Sequence, residues 1–343
     1  MAVSPGGDTV VAGAPGPCSV GDCGGEGAVY AFLRPVGGWT DVTEAQTFFA
    51  SDGAYGDQLG AAVAASGDGN TVVAGAPYNT GRGAVYVFCV AECPQTEIAK
   101  LTASDGADGD ELGQSVAISA DGGTVVAGAP GNFDTIGAAY VFVRPAAGWA
   151  TATQTAKLTA DGADNGRLGS AVAISADGGT VVAGAPFDNT VGAAYVFIRP
   201  AGGIWASGSE SAKLTVNDVG SNLLGQSMAI SGDGGTTVAG APANVNGSNR
   251  GAVFVFGAAP LPAVVSITAP DPNPTSAASV TWTVTFSEAV AGLTAVNFAL
   301  AHNGVSGAAI TDVSGFGATW TVTANTGSGN GTLGLNLMNS AGI

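Results

Sequence analysis

Positive charge is scarce in this chain: Lys and Arg number only 9 in 343 residues, against 26 Asp and Glu, for a net charge of −17. A field of that sign repels phosphate backbones and anionic lipid headgroups, which argues against nucleic acid as a partner. Histidine occurs once, as His302, so no Ser-His-Asp or metal-histidine constellation can form in the residues before it. Its position beside Asn303-Gly304 reads as an exposed turn. No apolar run reaches the ~18 residues of a membrane-spanning helix, and the N-terminus lacks the basic and apolar regions of a signal peptide. The four cysteines form two close pairs, Cys18 with Cys23 and Cys89 with Cys93, in separate parts of the chain and without Cys-x-x-Cys spacing. Two local disulfides fit better than a tetrathiolate zinc site, and disulfides point to an oxidising compartment, extracellular or at the cell surface.

Glycine, by contrast, is abundant at 56 residues, and it falls at regular positions. Val-Ala-Gly-Ala-Pro occurs five times, with its glycine at Gly13, Gly75, Gly128, Gly184 and Gly240, and Leu-Gly precedes the last four copies by fifteen residues, at Gly60, Gly113, Gly169 and Gly225. Such a period marks a repeat architecture. Residues 1–15 align with 116–130, so the chain opens inside a repeat and a missing upstream segment is expected.

One repeat reads as four strands. Ser115-Val-Ala-Ile-Ser119 is a short apolar run, and the following Asp-Gly-Gly suits a tight hairpin turn. Thr124 to Pro130 reads as a buried strand ended by proline. After a variable loop, Tyr140 and Phe142 lie two apart on one sheet face, matched by Tyr30/Phe32, Tyr86/Phe88, Tyr195/Phe197 and Phe254/Phe256. A second hairpin carrying Trp149 leads to Ala156-Lys-Leu-Thr159. Antiparallel four-stranded units with Ala/Gly-rich inner strands describe an all-β fold, a β-propeller of five blades.

These residues match a family. Leu112-Gly113, Val126-Ala-Gly-Ala-Pro130 and Gly137-Ala-Ala-Tyr-Val-Phe142 resemble the FG-GAP repeat of integrin alpha-chain propellers and of many bacterial extracellular proteins. The resemblance covers residues 1 to 257 and implies a ring that usually has seven blades. The chain is then part of such a ring, or five blades close with a borrowed strand such as Ala263-Val-Val-Ser-Ile267.

The repeats end at residue 259. Residues 260–275 read as a proline-rich linker and 276–343 as a second domain, in which Val280, Trp282, Val284 and Phe286 alternate with threonines. That segment resembles a bacterial immunoglobulin-like sandwich, here incomplete.

Candidate sites are few. The variable loops 16–26, 78–82, 131–136, 187–191 and 243–250 offer Asn79, Arg82, Asn132, Phe133, Asp134, Phe187, Asp188, Asn189, Asn244, Asn246 and Arg250 as ligand contacts. Acidic loops precede each Leu-Gly, and Asp105, Asp108, Asp110 and Glu111 supply enough carboxylates for a calcium candidate. The family's Asp-rich metal loop has no counterpart, since Asp68, Asp121, Asp177 and Asp233 stand alone in their hairpins and read as turn residues. Trp39, Trp149 and Trp205 occupy equivalent hairpins and read as packing against Arg-Pro. No catalytic constellation is found and no cofactor is required. The chain therefore reads as a non-enzymatic binding or adhesion scaffold for an extracellular protein or glycan; the alternatives are an accessory region of a secreted hydrolase and a structural spacer.

Overall fold

A computed structural model of the chain describes residues 1–16, 25–91, 94–131, 136–161, 165–200, 202–216, 223–243, 251–257, 264–269, 274–290 and 293–338. Two compact units are present, residues 1–258 and 259–343. The first is a β-propeller of five antiparallel blades.

Its regularity follows from the repeat. In the third blade, Ser115–Ile118, Thr124–Ala129, Ala138–Val143 and Ala156–Leu158 pair in sequence order. Gly128 lies opposite both Ser115 and Ala139. The first, second and fourth blades repeat this order; the described part of the fifth has three strands, Ser227–Ile230, Thr236–Ala241 and Ala252–Gly257. Ala and Val dominate the inner strands because neighbouring inner strands pack against one another there. The aromatic pair of the third strand is buried in the second, third and fourth blades, with Tyr86, Phe88, Tyr140, Phe142, Tyr195 and Phe197 all in the core, while Tyr30/Phe32 and Phe254/Phe256 are half-buried.

Leu-Gly joins each blade to the one before it. Leu59, Leu112, Leu168 and Leu224 are fully buried, each contributing roughly 1.5–3 kcal/mol of transfer free energy. Each also makes a parallel bridge to a glycine of the preceding blade, Gly27, Gly83, Gly137 and Gly192. The following glycine donates its N–H to the central glycine of its own blade, as Gly113 does to Gly128 O at 2.9 Å. Its own backbone lies against the central glycine of the preceding blade: a Cβ on Gly13, Gly75, Gly128 or Gly184 would stand 1.8–1.9 Å from the carbonyl oxygen of Gly60, Gly113, Gly169 or Gly225. The motif is conformational as well, for Gly225 sits at φ +93°.

The outer edges are tied by the next blade's second hairpin. Ala152–Thr153 pairs in parallel with Ala99–Thr102 of the blade before it. Side chains repeat the link: Glu97 accepts from Ser51 N at 2.9 Å, Gln154 from Ser104 N at 2.9 Å and Glu210 from Asp161 N at 3.0 Å.

The second unit holds a three-stranded sheet, Val264–Thr268, Ser279–Val290 and Ala309–Asn325, and a two-stranded sheet, Phe298–Asn303 with Thr332–Leu337. Trp282, Val284 and Phe286 enter its core with Trp320 and Val322. Val264–Thr268 pairs antiparallel with Ser279–Val290. That pairing uses one edge of the segment the sequence offers as a borrowed propeller strand. His302 is exposed but lies in a strand opposite Leu333 instead of in a turn, because the pairing runs through to Asn303.

Candidate functional site

The antiparallel order places two connections of every blade at one end: the loop from second to third strand, and the loop from outer strand to the next blade. Both sets of sequence candidates, the variable loops and the acidic loops, therefore share a face. Backbone bonds knit them together, with Tyr78 N donating to Asp57 O at 3.4 Å, Gly109 N to Gly81 O at 2.7 Å, Gly131 N to Asp110 O at 3.0 Å and Phe187 N to Gly166 O at 3.2 Å.

Beneath this face lies a repeated anchor. In the second blade the Tyr86 hydroxyl donates to Asp52 Oδ1 at 2.7 Å, and Lys100 Nζ pairs with Asp52. Lys100 also donates to Asn79 Oδ1 at 2.8 Å and stands 5.4 Å over the Tyr86 ring. Asn79 in turn donates to Asp57 Oδ2 at 2.7 Å. The third blade repeats the trio, with Tyr140 to Asp105 at 3.1 Å and Lys157 to Asp105 at 2.5 Å.

The fourth blade reaches the same balance by another route. Its preceding loop reads Ala160-Asp-Gly where the others read Ala-Ser-Asp-Gly. Asp161 accordingly takes the Ser104 position against Glu210. The missing acid comes instead from Asp188, which stands where the second blade has Asn79. Asp188 accepts from Tyr195 at 2.7 Å and pairs with Lys213 at 2.6 Å, and its side chain is only 1% exposed. A recess of about 160 Å³ opens beside this trio, walled by Asp188, Asn189, Lys213 and Thr215.

Burial, reinforced by the Asp52 and Asp188 carboxylates, pushes the Tyr86 and Tyr195 phenols far above their ordinary range. Burial likewise pushes Tyr140 up to about 12. These hydroxyls stay protonated and donate. Burial opposes ionisation of Asp52 and Asp105, but the bonds from Lys100 and Tyr86 and from Lys157 and Tyr140 prevail and hold both below the usual carboxylate value.

The four calcium candidates share no partner. Asp105 meets Lys157 and Tyr140; Asp108 meets Arg82 Nε at 3.4 Å; Asp110 accepts from Ala107 N at 2.7 Å; Glu111 meets Arg167 Nη2 at 3.3 Å. Among the described residues no three His, Cys, Asp or Glu side chains converge as a metal site requires.

Of the loop candidates, Asn79 and Asp188 are buried anchors. Asn189 holds a positive φ and donates to Asp188 at 2.7 Å. Arg82 and Phe187 stand outward, and Arg167 lies 5.8 Å over the Phe187 ring. Asn132, Phe133, Asp134, Asn244, Asn246 and Arg250 lie outside the described residues, as do Cys18, Cys23 and Cys93. Cys89 is disulfide-bonded. Tyr55 and Tyr78, which the sequence did not single out, are exposed on this same face. Of the four exposed rings among the described residues of the first unit, Trp39, Tyr55, Tyr78 and Phe187, three are here.

At the opposite end Trp39, Trp149 and Trp205 donate Nε1–H to Gly7, Gly122 and Gly178 O at 3.0, 3.1 and 3.1 Å, so in the first, third and fourth blades the second hairpin caps the first. The turn carbonyl, not the Arg-Pro pair, is the polar partner. In that turn Asp121 accepts from Ser119 Oγ at 2.5 Å and from Gly123 N at 2.8 Å, and Asp68, Asp177 and Asp233 repeat the arrangement.

Residues 42–88, 95–142 and 152–197 match the family model described as the FG-GAP repeat. The chain carries FG-GAP repeats. Each matched FG-GAP unit starts near the outer strand of one blade and ends in the third strand of the next. The sequence unit thus contains the Leu-Gly link together with both strands that it joins. The FG-GAP matches end at residue 197 and cover less than half of the chain. No curated protein matches the sequence.

Among solved structures, TolB from Acinetobacter baumannii is similar at 12% identity and TM-score 0.43, over 82% of this chain and 61% of that one, less than two thirds of its length. A protein named "putative 6-phosphogluconolactonase" from Bacteroides fragilis is similar at 14% identity and TM-score 0.46, over 83% of this chain and 78% of that one. Its namesake from Bacteroides uniformis matches at 12% identity and TM-score 0.44, over 82% and 78%. The expectation that the chain is no enzyme is withdrawn on this finding, since structures named for an enzyme share the likeness. At such identity the likeness assigns no reaction to the FG-GAP chain.

Proposed function

We propose that this FG-GAP propeller is a binding scaffold of an extracellular or cell-surface protein, engaging a protein or glycan through the face where its second-to-third-strand loops and inter-blade loops meet. The observation that carries this reading is that exposed rings, Tyr55, Tyr78 and Phe187, stand on this one face, in loops pinned by the Lys–Tyr–Asp anchors. Flat rings on a preorganised surface contribute contact area with little entropy loss, as protein and sugar recognition both require. In this reading Cys89 pairs with Cys93, and Cys18 with Cys23, in an oxidising compartment.

The test is to probe a glycan array and a panel of extracellular-matrix proteins with the labelled chain, and then with the Tyr55→Ser, Tyr78→Ser, Phe187→Ser triple variant. The expected result is one or more saturable ligands whose affinity falls about tenfold or more in the variant, at unchanged Tm. Equal binding by both proteins, or no ligand at all, rejects the reading.

A further inference from the structure

We infer that the fifth blade carries a Leu-Gly acceptor site, which takes an extended segment of another polypeptide bearing Leu-Gly followed by a short strand. The site is the side of the blade, and its loop-side end is formed by Pro242 and Gly251. Four copies of it within this chain show what fills it. In each of the first four blades the central glycine meets the backbone of the next Leu-Gly, and the glycine opening the third strand bridges to that leucine.

The fifth blade presents the same groups. Gly240 is opposite Ser227 and Val253 in register, as Gly128 is opposite Ser115 and Ala139. Among the described residues, however, the three atoms nearest to a Cβ on Gly240 all belong to Ser227, and those nearest to one on Gly251 belong to Pro242 and Ala241. A cavity of about 390 Å³ lies there instead, lined by Ser227, Gly240, Ala241, Pro242, Gly251 and Val253. The adjoining sheet face is uncovered. Val253 and Val255 are 69% and 68% exposed, whereas their counterparts Val85 and Val87 are fully buried. Covering such a pair removes apolar surface from water, which favours a segment that packs on this face as the next blade packs on each of the earlier ones.

One polar group adds a hydrogen bond to the contact, as in the third blade; Ala62 and Ala171 take its place in the second and fourth. Ser115 Oγ donates to the carbonyl of Gly169 at 2.8 Å, and Ser227 stands at the matching place in the fifth blade. The ligand glycine is required because the approach is backbone to backbone, and the leucine because its counterparts are all buried.

The test uses the full chain and a fluorescent peptide copied from residues 110–119, Asp-Glu-Leu-Gly-Gln-Ser-Val-Ala-Ile-Ser, with anisotropy as readout. Saturable binding is expected, weakened about tenfold or more when the peptide glycine is replaced by alanine. The same loss is expected for intact peptide against the Gly240→Ala chain, whose melting temperature serves as the folding control. A smaller loss is expected for Ser227→Ala. No saturable binding at about 1 mM peptide, or equal binding of the glycine and alanine peptides, overturns the inference. The peptide substitution decides the matter even if the Gly240→Ala chain folds poorly.

Discussion

Gly184 and Gly225 touch backbone to backbone: a Cβ on the first would lie 1.9 Å from the carbonyl oxygen of the second. No side chain can yield there, so either the strand or the incoming Leu-Gly must move. At Gly240 the nearest atom is Ser227 Oγ, at 2.2 Å, which can rotate away. Gly184→Ala is therefore expected to cost about 3 kcal/mol and Gly240→Ala under about 1 kcal/mol, read as shifts in the urea midpoint. Equal costs would mean that the inter-blade glycine contact is not what holds the array.

Asp188 is the buried acid of the fourth blade's anchor. Asp188→Ala leaves Lys213 and the Tyr195 hydroxyl without their partner. A loss of about 3 kcal/mol is expected, near the low end for a broken buried pair because Lys213 keeps some water contact. Asp8→Ala, which breaks an exposed pair with Arg34 at 2.6 Å, should cost under about 1 kcal/mol. Chemical denaturation of the two variants checks the ordering.

Trp205 is buried and Trp39 is 43% exposed, though both cap a turn carbonyl. Replacing Trp205 by Phe should cost about 1–2 kcal/mol, since it strands the Gly178 carbonyl away from water. Trp39→Phe should cost less than half as much, because water reaches Gly7. Thermal melts of the two variants give the comparison.

The hairpin aspartates make stability depend on acid. Hydrogen bonds from Ser66, Ser119 and Ser175, followed by backbone N–H bonds, hold Asp68, Asp121 and Asp177 below their ordinary value of 3.8. A lowered folded pKa adds stability above the unfolded value and loses it as pH falls through the folded one. The urea midpoint should be flat above about pH 5 and fall from about pH 4 downward, with a shallower fall in Ser175→Ala. A midpoint that drops between pH 7 and 5 would contradict this assignment.

Much of the propeller was legible because its motif is enforced by backbone geometry. Only glycine fits at Gly128 and Gly169, so the period survives in the sequence, and the Tyr140/Phe142 alternation marks the buried face directly. The anchors were not legible. Lys157 and Tyr140 recur visibly, but their acid comes from a different loop in different blades, Asp105 in one and Asp188 in another, and only the fold shows that the two loops reach the same point. Asn79 and Asp188 looked like ligand contacts because they sit in variable loops, yet they face inward to hold those loops. His302 was misplaced because Asn-Gly beside it signals a turn, whereas the strand runs one residue further before turning.

Hydrogen exchange of the chain with and without a ligand from the array tests the loop face most directly. The account predicts slowed exchange in residues 51–58, 78–82, 104–111 and 187–191, with no change in the tryptophan-capped hairpins around Gly7, Gly122 and Gly178. Protection confined to those hairpins, or to the second unit, would contradict it.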